Sequence, residues 1–307
     1  MASLWMLFAS FAFAAMGAAV KLASEFYSTS EIVMYRGLVG AVMLLAMVWG
    51  RGLTLRTPFP KEHLVRSCVG VTSLWLWFYA IGKLPLATAV TLNYMAPIWI
   101  AAALFCAGWW HRKNHVEWPL IVAVLMSFAG VTLALQPAVE MKQWFGALAG
   151  LVSSVISAMA YMQVRKLGQM GEPEYRVVFF FSLTTTLVGF AGTFADNPGA
   201  GIAPALHAHT WHSGLLVFAI GFTGLLAQMA MTRAYRVGKV LVVANLQYTG
   251  IIFSSLWGMF LWGDRFAGIV WLGMGVILVS GIAATFYNTR STARGAVIEK
   301  TDPIAAE

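Results

Sequence analysis

Arg36 is the residue whose type and position could do the most chemistry. It lies inside an apolar run that extends from Ile32 to Trp49. A guanidinium there costs several kcal/mol unless it snorkels, pairs or faces a cavity. We read it as a binding, gating or coupling group, against an arginine that reaches the interface or pairs with Glu31. Amides come next: Asn93-Tyr94 and Gln247-Tyr248 each follow a leucine within an apolar block. Gln228, Asn245, Gln163 and Tyr161 add hydrogen-bonding capacity in second-half blocks. Such groups either join helices, at ~0.6 kcal/mol per contact, or face a polar cavity and its solute; as a set they favour a cavity. Trp75, Trp77, Tyr79, Trp99 and Trp257 fall deep enough in their blocks to line it with rings that stack on a planar or cationic ligand. Packing against lipid or other helices is their other reading. Pro97, three residues after Tyr94, removes a backbone donor in mid-block and is a candidate kink and gating hinge.

Other chemistry lacks a centre. All six histidines lie in or beside loops, and all twelve acidic residues are at block ends, in loops or in the tail. Intramembrane hydrolysis therefore has no nucleophile with a base, and a proton relay has no midplane carboxylate. His207, His209 and His212 have metal-like spacing but sit on a loop, so no metal site is expected. The expectation is a non-enzyme without a cofactor.

The elements that position these residues follow from composition. The chain has 307 residues, 60% hydrophobic and 10% charged, too little charge to cover a water-soluble fold of this size. The formal net charge of +8 is distributed in short clusters between apolar runs, a topology signal rather than a nucleic-acid-binding face. Cys68 and Cys106 read as free thiols. A helix needs about 20 apolar residues to cross the bilayer. Ten blocks qualify, approximately Leu4 to Ala23, Ile32 to Trp49, Leu64 to Gly82, Leu86 to Ala107, Trp118 to Gln136, Trp144 to Val164, Tyr175 to Ala195, Trp211 to Tyr235, Val240 to Trp262 and Ala267 to Tyr287. The first has no positive n-region and reads as a retained span rather than a cleaved signal. Fifteen of the twenty basic residues, Arg66 among them, fall after even-numbered blocks, which places those loops and both termini in the cytoplasm.

The run from Trp75 to Trp99 returns in weaker form from Arg233 to Phe253. Gly82-Lys83 answers to Gly238-Lys239, and Leu92-Asn93-Tyr94 to Leu246-Gln247-Tyr248. Five spans per half force the two copies into opposite orientations, the plan of many secondary transporters. Asn93 enters from the external end and Gln247 from the cytoplasmic end, which puts each about 5 Å from the midplane on opposite sides. Gly146 and Gly150 form a GxxxG pair for a close helix contact, within one chain or between two.

The paired halves, Arg36, the run YAIGKLPLATAVTLNYMAPIW and its counterpart LQYTGIIFSSLWGMFLWGDRF resemble the drug/metabolite transporter superfamily, specifically its ten-span EamA-type carriers. That family usually has an acidic residue after the fourth and ninth spans; here Asp264 matches, while the first half reads WWHRKN. The resemblance implies an alternating-access carrier with a central cavity between the halves. It also implies a class that includes amino-acid and metabolite exporters and exchangers of adenosyl compounds. The expectation is thus an all-α membrane protein of ten transmembrane helices in two inverted five-helix repeats. These comprise residues 1–137 and 138–287, followed by a disordered cytoplasmic tail, 288–307. Its expected setting is the bacterial-type inner membrane, as a monomer or homodimer in the lipid bilayer, with a small-molecule substrate and no nucleic acid. Export of an amino-acid-like metabolite is the first functional expectation. The alternatives are an uptake exchanger of a larger metabolite such as an adenosyl compound, or a channel or scaffold.

Overall fold

Polar caps set where several of the apolar blocks begin. Ser28 and Glu31 form a reciprocal capping box at the start of one helix, and Thr210 and Ser213 do so at another. Pro60 opens a third, where a missing N–H costs nothing. The computed structural model describes residues 2–84, 86–110, 118–135, 143–196, 206–263 and 267–301. Its helices are α1 (Ala2–Ala23), α2 (Thr29–Gly50), α3 (Pro60–Lys83), α4 (Leu86–Asn93), α5 (Ala96–Trp110), α6 (Trp118–Leu135), α7 (Trp144–Gln169), α8 (Glu174–Ala195), α9 (Trp211–Val237), α10 (Val240–Gln247), α11 (Thr249–Trp262) and α12 (Gly268–Thr301).

Ten spans give twelve helices because the fourth and ninth are broken. The first break falls at Tyr94-Met95 and the second at Tyr248, beginning in each case at the tyrosine of the Leu-amide-Tyr triplet. Pro97 lies in the first turn of α5, where it displaces no intrahelical bond, and Ile251 occupies the matching place in α11. The break is therefore common to both halves and is not made by proline alone.

Helix α1 packs chiefly on α9, α3 on α7, α2 on α8 and α6 on α12; α4 lies on α7 as α10 lies on α1. Exchanging α1–α6 with α7–α12 returns this same set of neighbours. With an odd number of spans on each side, the arrangement is a pair of inverted repeats. Small residues allow the closest approaches. Gly37 and Gly189 face backbone atoms across the α2–α8 contact, while Gly146 and Gly150 receive Leu84 and Leu92 of the same chain. The GxxxG pair is thus an intrachain contact. Large apolar side chains, including Leu4, Phe8, Phe11, Leu187, Leu215, Phe218 and Val279, cover the outer surface, as lipid contact requires.

Two boundaries differ from the sequence expectation. Helix α3 starts at Pro60, several residues before the apolar block, which moves Arg66 from the margin of that block to the second turn of the helix. Helix α12 continues beyond Tyr287 to Thr301 instead of ending in a disordered tail, because no proline intervenes before Pro303 and helix-compatible residues follow. Asp264 and the His111-Arg112-Lys113-Asn114 segment lie outside the described residues.

Candidate functional site

Each half contributes polar side chains on one helical stripe. On α3, Arg66, Gly70, Ser73 and Trp77 follow at intervals of four, three and four residues and so share a face. On α7, Ser157, Ala160 and Tyr161 do the same, one turn beyond Ser153. These stripes meet Arg36 of α2, Asn93 and Tyr94 at the first break, Gln228 of α9 and Gln247 at the second break. They line a partly open cavity of about 660 Å³, counted together with the solvent space at its mouth.

Arg36 is 4% exposed and Arg66 2%. Arg36 lies seven residues into α2 from its external end, and Arg66 six residues into α3 from its cytoplasmic end. At ~1.5 Å per residue they approach the midplane from opposite faces. Their guanidinium carbons lie 5.2 Å and 4.3 Å from the centroid of the same Phe181 ring. Room for them comes from glycine. A Cβ at Gly70 would overlap Arg66 Nη1, and one at Gly224 would lie 3.1 Å from Arg36 Nε. Arg36 Nε donates to Met16 Sδ at 3.4 Å, a weak acceptor. Glu31 is not its partner: that carboxylate accepts from the backbone N–H of His207 at 2.8 Å and contacts the ring Nδ1 at 2.6 Å.

The amides are tied to α7. Asn93 Nδ2 donates to Ser153 Oγ at 3.2 Å, and Gln247 Nε2 to Tyr161 OH at 3.1 Å. Ser73 Oγ and Ser157 Oγ lie 2.5 Å apart. The remaining hydrogen-bonding capacity is open: Gln228 Nε2, Gln247 Oε1, Arg66 Nε and Arg66 Nη1 are buried with no partner among the described residues. Orphaned groups in a lined cavity are what a solute would satisfy. Tyr94 reaches across to the second half, its hydroxyl resting where a Cβ of Gly250 would stand.

Of the residues singled out from sequence, the structure brings Arg36, Trp77, Asn93, Tyr94, Tyr161, Gln228 and Gln247 to this cavity. The others lie elsewhere. Trp75 packs into the space over Gly192, Tyr79 carries Lys83 Nζ 5.9 Å from its ring centroid, and Trp99 donates to Ser154 Oγ at 3.0 Å. Asn245 faces α12 and donates to Ser280 O at 3.3 Å. Tyr248 is fully buried beneath Tyr94, with ring centroids 6.1 Å apart. Trp257 stands 6.3 Å from Phe11, and Gln163 is half-buried outside the lining. The lining residues missed from sequence were Arg66, Ser73, Ser157 and Phe181. The repeat at helical spacing from Arg66 to Trp77 was the available signal.

Hydrogen-bonded carboxylates also join the halves at both ends of the bundle. Externally, Glu31 holds His207, and Tyr27 and Tyr35 flank His209 at 2.6 and 2.9 Å. At the cytoplasmic end, Glu172 accepts from Thr57 Oγ1 at 2.8 Å and lies 3.2 Å from His63 Nε2 and 3.5 Å from Arg176 Nη1. His207 and His209 thus have separate protein partners, and no cluster of three metal-ligating side chains occurs among the described residues. His63 is a buried residue of α3 rather than a loop group.

Comparison with known proteins places this geometry. The model of the EamA-like transporter family matches residues 1–136. The pseudopaline exporter of Pseudomonas aeruginosa is 32% identical over 277 residues, 90% of this chain and 92% of that one. The riboflavin transporter of Vibrio cholerae is 25% identical over 95% of each chain. The S-adenosylmethionine uptake transporter of Rickettsia bellii is 21% identical over 76% of each. A crystal structure of a protein 20% identical in sequence superposes with a TM-score of 0.74, covering 92% of this chain and 98% of that one, and supports the fold. The protein is a multi-pass membrane transporter of small metabolites, of bacterial inner-membrane type and not an enzyme. With ten spans in two inverted repeats and a relative of 32% identity along nearly its whole length, the chain belongs to the EamA-like transporter family.

Proposed function

We propose that the protein exports an amino-acid-like metabolite by alternating access, residues 1–137 rocking against 138–287 around the central cavity. The observation that carries this reading is the lining itself. Arg36, Arg66, Ser73, Asn93 and Tyr94 come from one half, and Ser157, Tyr161, Phe181, Gln228 and Gln247 from the other. A solute held by both halves contacts a surface that changes when they move, as coupling binding to conformation requires. Broken spans beside the cavity provide the discontinuous helices on which transporter sites are commonly built. The 32% identity to an exporter supports outward movement; uptake by exchange is the second reading, supported by the more distant S-adenosylmethionine uptake relatives.

Counterflow in proteoliposomes tests the reading: an unlabelled internal solute should drive transient accumulation of its labelled form, with saturation. Flux that is linear in concentration and shows no counterflow would indicate a channel. Asn93→Ala and Gln247→Ala should each raise the apparent KM about fivefold, the equivalent of one ordinary hydrogen bond. Unchanged kinetics in both would move the site elsewhere.

The Glu31 and Glu172 contacts serve, on this reading, as ties at the two ends of the pathway. In a background with Cys68→Ser and Cys106→Ser, a cysteine replacing Ser73 reports access to the cavity. Glu172→Gln should speed its reaction with a membrane-impermeant thiol reagent from the cytoplasmic side, and Glu31→Gln from the external side. Labelling that neither substitution alters would dismiss the ties.

A further inference from the structure

We infer that the central site takes a small organic dianion, its two oxyanionic groups held by Arg36 and Arg66. This rests on the transport reading and names the substrate class for the same cavity.

Charge carries the argument. Two guanidinium groups line one cavity in the middle of the bundle, and neither forms an ion pair among the described residues. The paired carboxylates lie at helix ends and hold other groups: Glu31 holds His207, Glu172 holds His63 and Arg176, and Glu174 holds Arg233 and Arg236. The cavity lining contains no acidic residue. A buried charge without a counterion is normally paired by something, and here the ligand is the remaining candidate.

Geometry sharpens the class. Arg66 presents Nε and Nη1, both buried and unbonded, so a guanidinium, a group suited to carboxylates and phosphates, has donors to spare toward the cavity. Arg36 has only a thioether on its Nε. Because both guanidinium carbons lie over one Phe181 ring, their separation cannot exceed the sum of 5.2 Å and 4.3 Å. A single monoanion would leave one of the two arginines uncompensated, whereas oxyanions at both ends of a short carbon chain match the two charges. Phe181 then contacts the linker, and Gln228 Nε2 offers a further unpartnered donor. Glycines at 70 and 224 belong to the same construction, since a side chain at either would crowd one guanidinium.

The test uses the full-length protein, first by thermal shift in detergent and then by counterflow. The probes are succinate, glutamate and 3-phosphoglycerate as carriers of two oxyanionic groups, glutamine with one carboxylate, and succinamide with none. At least one dianion should stabilise the protein and exchange, with succinamide inert. Carboxylate-only against phosphate-bearing success separates the two oxyanion sources. Arg36→Gln and Arg66→Gln should each raise the KM for the dianion more than tenfold, while Arg36→Lys and Arg66→Lys keep part of the affinity. The Lys variants keep the test decisive if a Gln variant folds poorly. Exchange of glutamine or another neutral solute with no response to any dianion would overturn the dianion assignment and leave the transport reading standing. Dianion transport unchanged in folded Gln variants would overturn it equally. No exchange of any solute, charged or neutral, would overturn the transport reading and this inference together.

Discussion

Replacing Arg66 by methionine should abolish transport and at the same time make the empty protein more stable. The two effects have one cause. Arg66 is 2% exposed, lies without an acidic partner, and leaves two of its nitrogens unbonded. Burial of an uncompensated ion costs several kcal/mol, and apolar side chains of similar volume in place of buried charges can be neutral or stabilising. Methionine keeps much of the length and contact with Phe181 while removing the charge. Relief of about 1 kcal/mol or more should raise the melting temperature of the ligand-free protein by a few degrees. Loss of a desolvated charge contact to substrate, typically 2–5 kcal/mol, should lower transport efficiency about a hundredfold. Melting curves and counterflow on the same preparation read both. Wild-type transport by the methionine variant would remove Arg66 from the site. An inactive and less stable variant would make it a structural group instead.

The second large effect is expected at the crossing of α2 and α8. An ideal Cβ on Gly37 would lie 2.5 Å from the backbone nitrogen of Thr186 and 2.6 Å from Ser182 O; one on Gly189 would lie 2.6 Å from Met34 Cα. Alanine is intrinsically a better helix former than glycine by about 1 kcal/mol, so the two terms oppose each other. The clash should win, because the obstructing atoms are helix backbone and cannot rotate away. Overpacking costs about 1–3 kcal/mol, and more where the backbone must shift. Gly37→Ala and Gly189→Ala should therefore lower folded yield and melting temperature, and the double substitution should prevent the halves from docking. Gly17→Ala is the control: beyond the local helix backbone, nothing among the described residues lies within 4 Å of its added Cβ, so it should be neutral or stabilising. Normal melting of Gly37→Ala and Gly189→Ala would mean that the two helices can separate without loss.

Hydropathy located the ten spans because lipid requires long apolar segments whatever the fold. It also exposed Arg36, Asn93 and Gln247, since a charge or amide in an apolar run is a one-dimensional anomaly. Arg66 escaped because it follows Arg56 and Lys61 and counts as one more cytoplasmic flanking charge. At the edge of a block beginning at Leu64 it reads as a flanking charge; the start of α3 at Pro60 puts it a full turn and more into the helix, on the stripe with Gly70, Ser73 and Trp77.

Spacing along the chain thus determined the number of spans, their inverted repetition and the approximate depth of each polar group. Depth does not specify azimuth. Asn245 and Gln247 are two residues apart, yet one faces α12 and the other the cavity. Trp99 and Tyr94 divide in the same way between an α7 serine and the cavity. Which side of a helix faces a neighbour, and whether two arginines entering from opposite ends meet at one phenylalanine, depends on contacts between distant segments such as α2 with α8 and α3 with α7. Those contacts arise from close packing between helices, so the tertiary structure alone decided them.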